Sequence, residues 1–596
     1  MTESPKLAQA LIAVSAVCAL FLAMDALRLF GGMALLSTWI RLETHYFFAL
    51  LAVLLPLVFI VFPRWLILDA LLGVSVFALC VYFFTEAEAI VDDGWEFGAP
   101  QLPTIMSIAL WALLLEAVRR AGGWSLFGIA FLFSVMPLVA DSLPGPFAGL
   151  TSTLGETAVY HALSSESMFG LPFQAFANLV IGFLLFGVSL QFTGGGRFFL
   201  DLSFSLLGHV RGGPAKVAIV SSGLMGSMSG SVVTNVLTTG QLTIPAMKDA
   251  GMRPDMAAGV EACASTGGVL LPPIMGSTAF VMATFLEVPY YQVALAATLP
   301  ALLYFTGLFL QVDANAAVNG LAGVPRDRLP VLSQVLKEGW HYLGAFALLI
   351  FLLVFMQREA IAPYLATAAL LLLNQFTKAH RWDWQKAFEF LVAVGRLLIE
   401  ILGVLAGVGL IVGALSVTGL AGTLVNDLLF IAGDKVWLLL IMGAITSFVL
   451  GIGMTVTAAY ILLAVILAPA LVSEGLNPMG VHLFILYWAM LSFITPPVAL
   501  GAYAAASIAG ADPIRTGFSA MRLGSIIYFI PFIFVADAGL LLQADLATIA
   551  QSLGRALLAI WLIAGGLQGY LLGYGTISRW YVRTAVIAGG AVVSLI

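Results

Sequence analysis

The chain runs to 596 residues, 61% of them hydrophobic and 9% charged, with a formal net charge of −6 and a mean hydropathy of +1.06. Soluble domains carry roughly 25% charged residues, so a soluble fold of this size is excluded and a polytopic membrane protein remains. The placement of Lys and Arg then matters more than net charge, because it sets topology.

A membrane-crossing helix needs about 20 apolar residues. In chain order such stretches fall at roughly 8–30, 46–62, 65–85, 104–118, 124–141, 174–195, 256–286 and 290–312. They continue at 340–356, 360–376, 396–418, 480–509, 518–542, 552–572 and 579–595. The first lacks a small-residue cleavage site and reads as a retained span. Two further stretches, about 214–250 and 435–473, are interrupted by small polar residues and read as re-entrant hairpins. The expected fold class is therefore all-α and polytopic, with about 15 transmembrane helices plus two re-entrant hairpins. Cys18, Cys80 and Cys263 lie far apart in apolar segments and read as buried small residues, without disulfide or metal spacing.

With a cytoplasmic N-terminus, 20 of the 25 Lys and Arg fall inside, Lys378 among them. Only Arg28, Arg41, Arg358, Lys435 and Arg555 fall outside, a strong positive-inside bias. Both feet of the first hairpin (Arg211 and Lys216; Lys248 and Arg253) come out inside, as a re-entrant loop requires. The second has its feet outside, at Asp434–Lys435 and Glu474.

Sliding the chain along itself by 224 residues superposes Pro245 on Pro469, Pro254 on Pro478, Pro272–Pro273 on Pro496–Pro497 and Pro289 on Pro513. The segments 176–314 and 400–538 hold seven and six prolines, so about 0.3 coincidences are expected by chance against the five seen. Five crossings separate equivalent points, an odd number, which makes the second repeat inverted. Inverted repeats with discontinuous helices are the architecture of secondary transporters, with sites near the midplane.

The first hairpin, "SSGLMGSMSGSVVTNVLTTGQLTIP", concentrates Gly226, Ser227, Ser229, Gly230 and Ser231 where the chain must turn, with Thr234 and Asn235 following. The second, "TSFVLGIGMTVTAAYILLAVILAP", has Gly451, Gly453, Thr455 and Thr457 there. Carbonyl and hydroxyl oxygens suit a hard monovalent cation, although Gly226 and Gly230 equally fit close small-xxx-small packing. Proline pairs break the spans "STGGVLLPPIMGS" and "LSFITPPVALGAYAAAS". Each proline frees carbonyls one turn earlier, and the half-helix that follows offers N–H groups to an anion. Thr266, Gly267 and Gly268 precede the first pair; Ser492, Phe493 and Thr495 precede the second.

Glu261, about two turns into a span, is read mainly as facing the aqueous entrance, and alternatively as a proton or ion ligand. Arg396 and Glu400 have the i, i+4 spacing of a structural pair. Asp313 and Asp537 match across the repeat near span ends, where capping is as good a reading as function. The six histidines, His161 and His380 among them, fall mostly at boundaries or loops, with no serine in a buried dyad. The outer loop 141–172, with Glu156, His161 and Glu166, and the acidic segment 86–98 read as solvated connectors or a surface for an external partner. An intramembrane serine hydrolase using Ser229 lacks a base in the opposite spans. A channel fits an asymmetric inverted repeat less well than a carrier, and an ATP-driven pump lacks a P-loop.

The serine/glycine hairpin, "STGGVLLPPIMGS" and "SFITPPVALGAYAAASIAGADP" resemble the large membrane subunit of tripartite ATP-independent periplasmic (TRAP) transporters, most closely fused permeases of the TAXI type. The resemblance covers about 174–540. It implies an elevator-type importer of a small organic acid, handed over by a periplasmic TAXI-type substrate-binding protein and driven by Na+, with H+ the alternative. It implies no other cofactor and no nucleic-acid partner, and places a monomeric fused permease in the lipid of a bacterial inner membrane. Carried over by position, Ser227, Ser229, Gly230, Ser231 and Asn235 with Gly267, Gly268 and Pro272 would frame one Na+ site. Gly451, Gly453 and Thr455 with Ser492, Thr495 and Pro496 would frame the other. Substrate would meet Ser229, Ser231, Asn235, Pro273, Ser277, Thr278, Thr455, Thr457 and Pro497, and Glu261 would couple a proton.

The implied organisation is a small-subunit-like scaffold (1–141), a periplasmic connector (142–172), and a first inverted repeat (173–315). A linker with two helices (316–395), a second repeat (396–540) and C-terminal helices without an assigned role (541–596) complete it.

Overall fold

The computed structural model describes residues 6–30, 35–145, 148–377, 381–433 and 435–595. Asp434, Lys378 and His380 lie outside them. Among the described residues eleven helices are long and apolar enough to cross a membrane, and six apolar helices are shorter, at 10–17 residues. The sole sheet in this part of the chain is a two-stranded ribbon pairing Tyr570–Leu571 with Gly575–Thr576. The last expected span is a 16-residue helix, Trp580–Leu595.

The chain divides into two compact units. One comprises Met1–Phe192, Met356–Leu439 and Gly453–Ala470; the other comprises Thr193–Phe355, Leu440–Ile452 and Leu471–Ile596. The two legs of the second hairpin, Val436–Gly453 and Val456–Ser473, thus fall mainly in different units.

The first unit is organised on one 35-residue helix, Trp384–Thr418, capped by the Asp383 carboxylate on the Lys386 N–H and ended by Gly419 at φ 73°. A glycine stripe lets neighbours approach its backbone. A Cβ at Gly395 would lie 2.5 Å from the Ile12 carbonyl, and one at Gly403 2.6 Å from the Ala121 Cβ. Close helix approach of this kind substitutes for hydrophobic driving force in lipid. The buried Arg120 is satisfied by Asp69 at 2.7 Å, Glu116 at 2.7 Å and the Phe62 carbonyl.

The loop read as a solvated connector is exposed over much of its described first half, whereas from Thr157 onward most of it is folded and buried. Leu154–Leu163 is a helix with a capping box between Thr153 and Glu156, and Tyr160, His161, Ser164, Ser167 and Phe169 are buried. Its aromatic and apolar side chains supply the reason, since they bury area that a solvated loop would leave in water. Within it His161 Nδ1 lies 2.9 Å from Ser167 Oγ while Nε2 meets the Ser134 carbonyl at 3.0 Å. This is the buried His–Ser pairing that the sequence did not disclose. Both partners are 0% exposed, so the pair is a packing element sealed from any substrate. Cys18 is also corrected: it is exposed, beside the exposed Val14, Val17 and Phe21. In a membrane protein the outer surface faces lipid and an apolar side chain there is at no disadvantage. Leu420–Ala432 is a 13-residue apolar helix that the span reading passed over.

The second unit holds the first hairpin, Gly213–Ser229 and Val232–Asp249, and the first broken span, Pro254–Leu270 then Ser277–Phe285. The second broken span is Pro478–Met490, a 3-10 turn to Phe493, then Leu500–Ala509. The 224-residue shift carries Val232–Asp249 onto Val456–Ser473 end for end. Proline occupies the first turn of Pro254–Leu270 and Pro478–Met490, where its missing N–H costs nothing. Pro272–Pro273 and Pro496–Pro497 are both cis. The repeat diverges at its end: Tyr290–Asn319 is continuous, whereas its counterpart is interrupted at Gly524 between Pro513–Leu523 and Ile526–Ala536.

Candidate functional site

The first hairpin turns at Gly230, which adopts φ 63°, a region open to glycine without Cβ strain. Its N–H closes on the Gly226 carbonyl at 3.1 Å, and Ser231 caps the returning helix by accepting the Thr234 N–H. The Ser227 hydroxyl donates to the Leu224 carbonyl at 2.8 Å, and that of Ser229 to the Ser231 carbonyl at 3.4 Å. Each hydroxyl is thus used as a donor, which leaves its oxygen able to accept.

The hairpin and the broken span meet without side chains between them. A Cβ at Gly226 would sit 2.7 Å from the Gly268 Cα, and one at Gly230 2.7 Å from the Gly276 Cα. Gly267 faces the other way, toward Tyr304, where a Cβ would lie 2.3 Å from the ring. Pro272 and Pro273 form the turn between the half-helices, and the Tyr290 hydroxyl meets the carbonyls of Pro273 and Ile274 at 2.8 and 2.7 Å. Ser277 and Thr278 open the following half-helix directly after Gly276, with the partial positive charge of a helix start.

Asn235 links this crossing to a buried acid. Its Nδ2 donates to the Ser222 carbonyl at 2.8 Å and to Ser265 Oγ at 3.1 Å. Its Oδ1 is buried with no hydrogen-bond partner among the described residues. Such an orphaned acceptor costs roughly 1–3 kcal/mol, and a donor or cation would remove that cost.

Glu261 is corrected most. It is 0% exposed, not at an aqueous entrance. Oε1 takes hydrogen bonds from Ser222 (2.5 Å), Thr239 (2.5 Å) and Ser265 (3.2 Å), and Oε2 from Thr243 (2.5 Å). The small residues of the hairpin let the acid approach: a Cβ at Gly240 would lie 3.2 Å from the Glu261 Cγ. The two threonine hydroxyls have a second acceptor within reach, since Thr239 also lies 2.9 Å from the Asn235 carbonyl and Thr243 3.1 Å from that of Thr239. By rotating, they can donate to a carboxylate or accept from a carboxylic acid without moving a heavy atom. Sequence reading missed Ser222, Thr239, Thr243 and Ser265. The signal was four-residue spacing: Asn235, Thr239 and Thr243 share one helix face, as do Glu261 and Ser265.

The second repeat lacks this chemistry. The positions matching Ser222, Asn235, Thr239, Thr243, Glu261 and Ser265 are Thr446, Ala459, Leu463, Leu467, Ile485 and Ala489. What it keeps is backbone. A Cβ at Gly451 would lie 2.6 Å from the Ala489 carbonyl, which also accepts the Ser492 hydroxyl at 3.0 Å. Thr495 Oγ1 lies 2.5 Å from the Tyr528 hydroxyl, the Tyr503 hydroxyl meets the Pro497 carbonyl at 2.6 Å, and Pro496 packs under Gly517. Gly453, Thr455 and Thr457 belong to the other unit, where Thr455 accepts the Ala458 N–H.

Asp313 and Asp537 are anchors. Asp313 binds Arg211 and the buried Lys216, the latter at 2.6 Å. Asp537 caps Gly539 and binds Ser552 and Arg555.

A glycine-tipped hairpin against a broken helix, in a chain whose described residues include eleven helices long and apolar enough to cross a membrane, defines a polytopic membrane permease. Residues 109–549, well over half of the chain, match the family model described as "Tripartite ATP-independent periplasmic transporter, DctM component". The chain belongs to this family, whose permeases work with a periplasmic substrate-binding protein, and is a transporter, not an enzyme. It is 26% identical over 342 residues to a C4-dicarboxylate TRAP transporter large permease protein of Pseudomonas aeruginosa, covering 56% of this chain and 78% of that protein. It is similar to an isethionate TRAP transporter permease protein DctMQ of Oleidesulfovibrio alaskensis, at 26% identity over 64% of this chain and 57% of the relative. A sialic acid TRAP transporter large permease protein of Vibrio cholerae is 25% identical over 66% of this chain and 90% of its own length.

Proposed function

We propose that the chain imports a small organic acid into the cytoplasm across a bacterial inner membrane, its N-terminus cytoplasmic, using an inward Na+ gradient. A TAXI-type binding protein delivers the acid. The relatives named for dicarboxylate and sialic acid carriage support an acid as substrate. In this reading residues 1–141 act as the fused small subunit and scaffold. The inverted repeats 173–315 and 396–540 form the core, which moves as an elevator.

The observation that carries the reading is the direct backbone crossing of Gly226 with Gly268 and Gly230 with Gly276. It puts the hydroxyls of Ser227, Ser229 and Ser231, the orphaned Asn235 Oδ1 and the carbonyls before Pro272 on two elements held in contact. Oxygen ligands without a full charge suit Na+. Ser277 and Thr278, at the start of the half-helix, would take the substrate carboxylate.

A second reading, H+ in place of Na+, is favoured by Glu261, a sealed acid whose hydroxyl cradle accommodates either protonation state. One assay separates them. The chain is reconstituted in proteoliposomes with its cognate binding protein and a labelled panel of succinate, sialic acid and 2-oxoglutarate, under imposed Na+ or H+ gradients. Uptake driven by Na+ alone supports the first reading, and uptake driven by H+ alone the second. Uptake indifferent to both gradients overturns ion coupling. Uptake without the binding protein overturns the tripartite assignment.

A further inference from the structure

The first of the two C-terminal helices, Leu546–Gln568, extends beyond residue 549, where the family match ends, and its end helps enclose a polar cavity of about 360 Å³. Arg253 lines it from the start of Pro254–Leu270, Asn315 and Asn319 from the end of Tyr290–Asn319, Arg522 from Pro513–Leu523, and Gln568 from the end of Leu546–Gln568. Four separate segments therefore contribute hydrogen-bond donors to one space.

The positive charge there is not matched by negative charge. Arg253 pairs with Asp255 at 2.9 Å. Arg522 has no ion-pair partner among the described residues; its Nη2 donates to Gln568 Oε1 at 2.8 Å. Arg253 and Arg583 both lie close enough to Arg522 to repel it. Arg583 is itself turned onto the carbonyls of Gly566 and Leu567, at the end of Leu546–Gln568. Two guanidinium groups thus line the cavity, only one of them paired with a carboxylate, and a third, that of Arg583, lies nearby.

Arg522 is nonetheless held from its buried side. Gln568 Nε2 donates to Gln311 Oε1 at 2.7 Å, and Gln311 Nε2 donates to Ser525 Oγ at 2.7 Å. Gln311 is 0% and Gln568 6% exposed. A relay of neutral amides fixes an arginine in place without neutralising it, which leaves its fork of donors for something else.

We propose that this cavity binds an anion through a carboxylate or phosphate group, and that the bound anion clamps the helix Leu546–Gln568 to the ends of Pro254–Leu270 and Tyr290–Asn319. Planar guanidinium donors match both groups in bidentate geometry. The same chemistry is offered by an anionic lipid headgroup and by a free anion. The proposal does not rest on transport, and its test reads binding alone.

The full chain is placed in phosphatidylcholine nanodiscs at constant ionic strength, and thermal unfolding is followed against inorganic phosphate or succinate, with chloride as reference. A second arm replaces part of the lipid with phosphatidylglycerol. Stabilisation by phosphate or succinate in phosphatidylcholine indicates a free anion; stabilisation in the phosphatidylglycerol arm alone indicates a headgroup. In either case Arg522→Gln weakens the midpoint by about tenfold or more, Arg253→Gln weakens it in the same direction, and Arg515→Gln, an exposed arginine on the same helix, leaves it unchanged. Arg253→Gln keeps the test open should Arg522→Gln fail to fold. No shift beyond that of chloride in either arm, or responses of Arg522→Gln and Arg253→Gln equal to the parent, overturns the site.

Discussion

Gly226 and Gly268 bring two helix backbones into contact: a Cβ on either would come within 2.7 Å of the other's Cα. The crossing joins the first hairpin to the first broken span and leaves no room for a side chain.

Gly268→Ala is therefore expected to force the helices apart. The new Cβ also meets the Ser222 carbonyl at 2.8 Å, so backbone must move, at a cost of about 1–3 kcal/mol. Gly554→Ala, where nothing lies within 4 Å of a Cβ, is expected to be neutral or to stabilise by about 0.5–1 kcal/mol. Thermal unfolding of both variants in one detergent checks the contrast, and uptake should fall in the first alone.

Glu261→Gln keeps the shape of the acid but holds no exchangeable charge. In the H+ reading the variant folds, and uptake loses its response to an imposed pH gradient while binding-protein docking is unchanged. In the Na+ reading the pH response is absent from the parent as well. Glu261→Leu takes the carboxylate acceptor from four buried hydroxyls, of which that of Ser265 donates to no other group among the described residues, and its unfolding temperature is expected to drop below that of Glu261→Gln.

Asp313→Asn and Asp537→Asn occupy equivalent repeat positions yet are expected to differ. Lys216, with 6% of its side chain exposed, would lose its carboxylate partner in the first, and a buried charge stripped of its partner costs about 3–5 kcal/mol. Arg555, with 36% exposed, can turn to solvent in the second, a loss of about 0–1 kcal/mol. Chemical unfolding of each variant distinguishes them, and Lys216→Met added to Asp313→Asn should recover much of the larger loss.

Glu156 links local stability to acidity. The Thr153 N–H and hydroxyl, at 2.8 Å each, hold its carboxyl below the ordinary value of 4.5. A depressed carboxyl stabilises fully above its unfolded value, and that contribution is lost as pH falls through the folded one. The protection of the Leu154–Leu163 amides, measured as exchange relative to the intrinsic rate at each pH, should therefore fall as pH drops below about 4.5. Thr153→Ala should cost about 1 kcal/mol of helix stability at neutral pH and flatten the pH response.

Helix breaks and turns were legible because prolines and glycines act locally. The proline register located both interrupted spans, and the glycine/serine run Gly226 to Ser231 bracketed the first tip, which turns at Gly230. The cradle of Glu261 was not legible as a unit, since Ser222, Thr239, Thr243 and Ser265 lie on three helices that meet only after folding. His161 and Ser167 stand six residues apart around a bend, a spacing that no helical periodicity flags. The helix Leu154–Leu163 was masked by its polar flanks, and the outward face of Cys18 by a uniformly apolar first span, in which no amphipathic stripe marks a side.

Ile485 standing where the first repeat has Glu261 also has an electrical consequence. A carrier built from two matched apolar halves would present the membrane field with only the charge of its cargo. An ionised Glu261 adds one elementary charge belonging to the protein, and carrying it through the field exchanges about 2.3 kcal/mol per 100 mV. A cycle returning empty with that residue ionised would be slowed or hastened by voltage according to the direction of return. A return step made with it protonated would carry none of that charge through the field, leaving the cargo to set the voltage dependence.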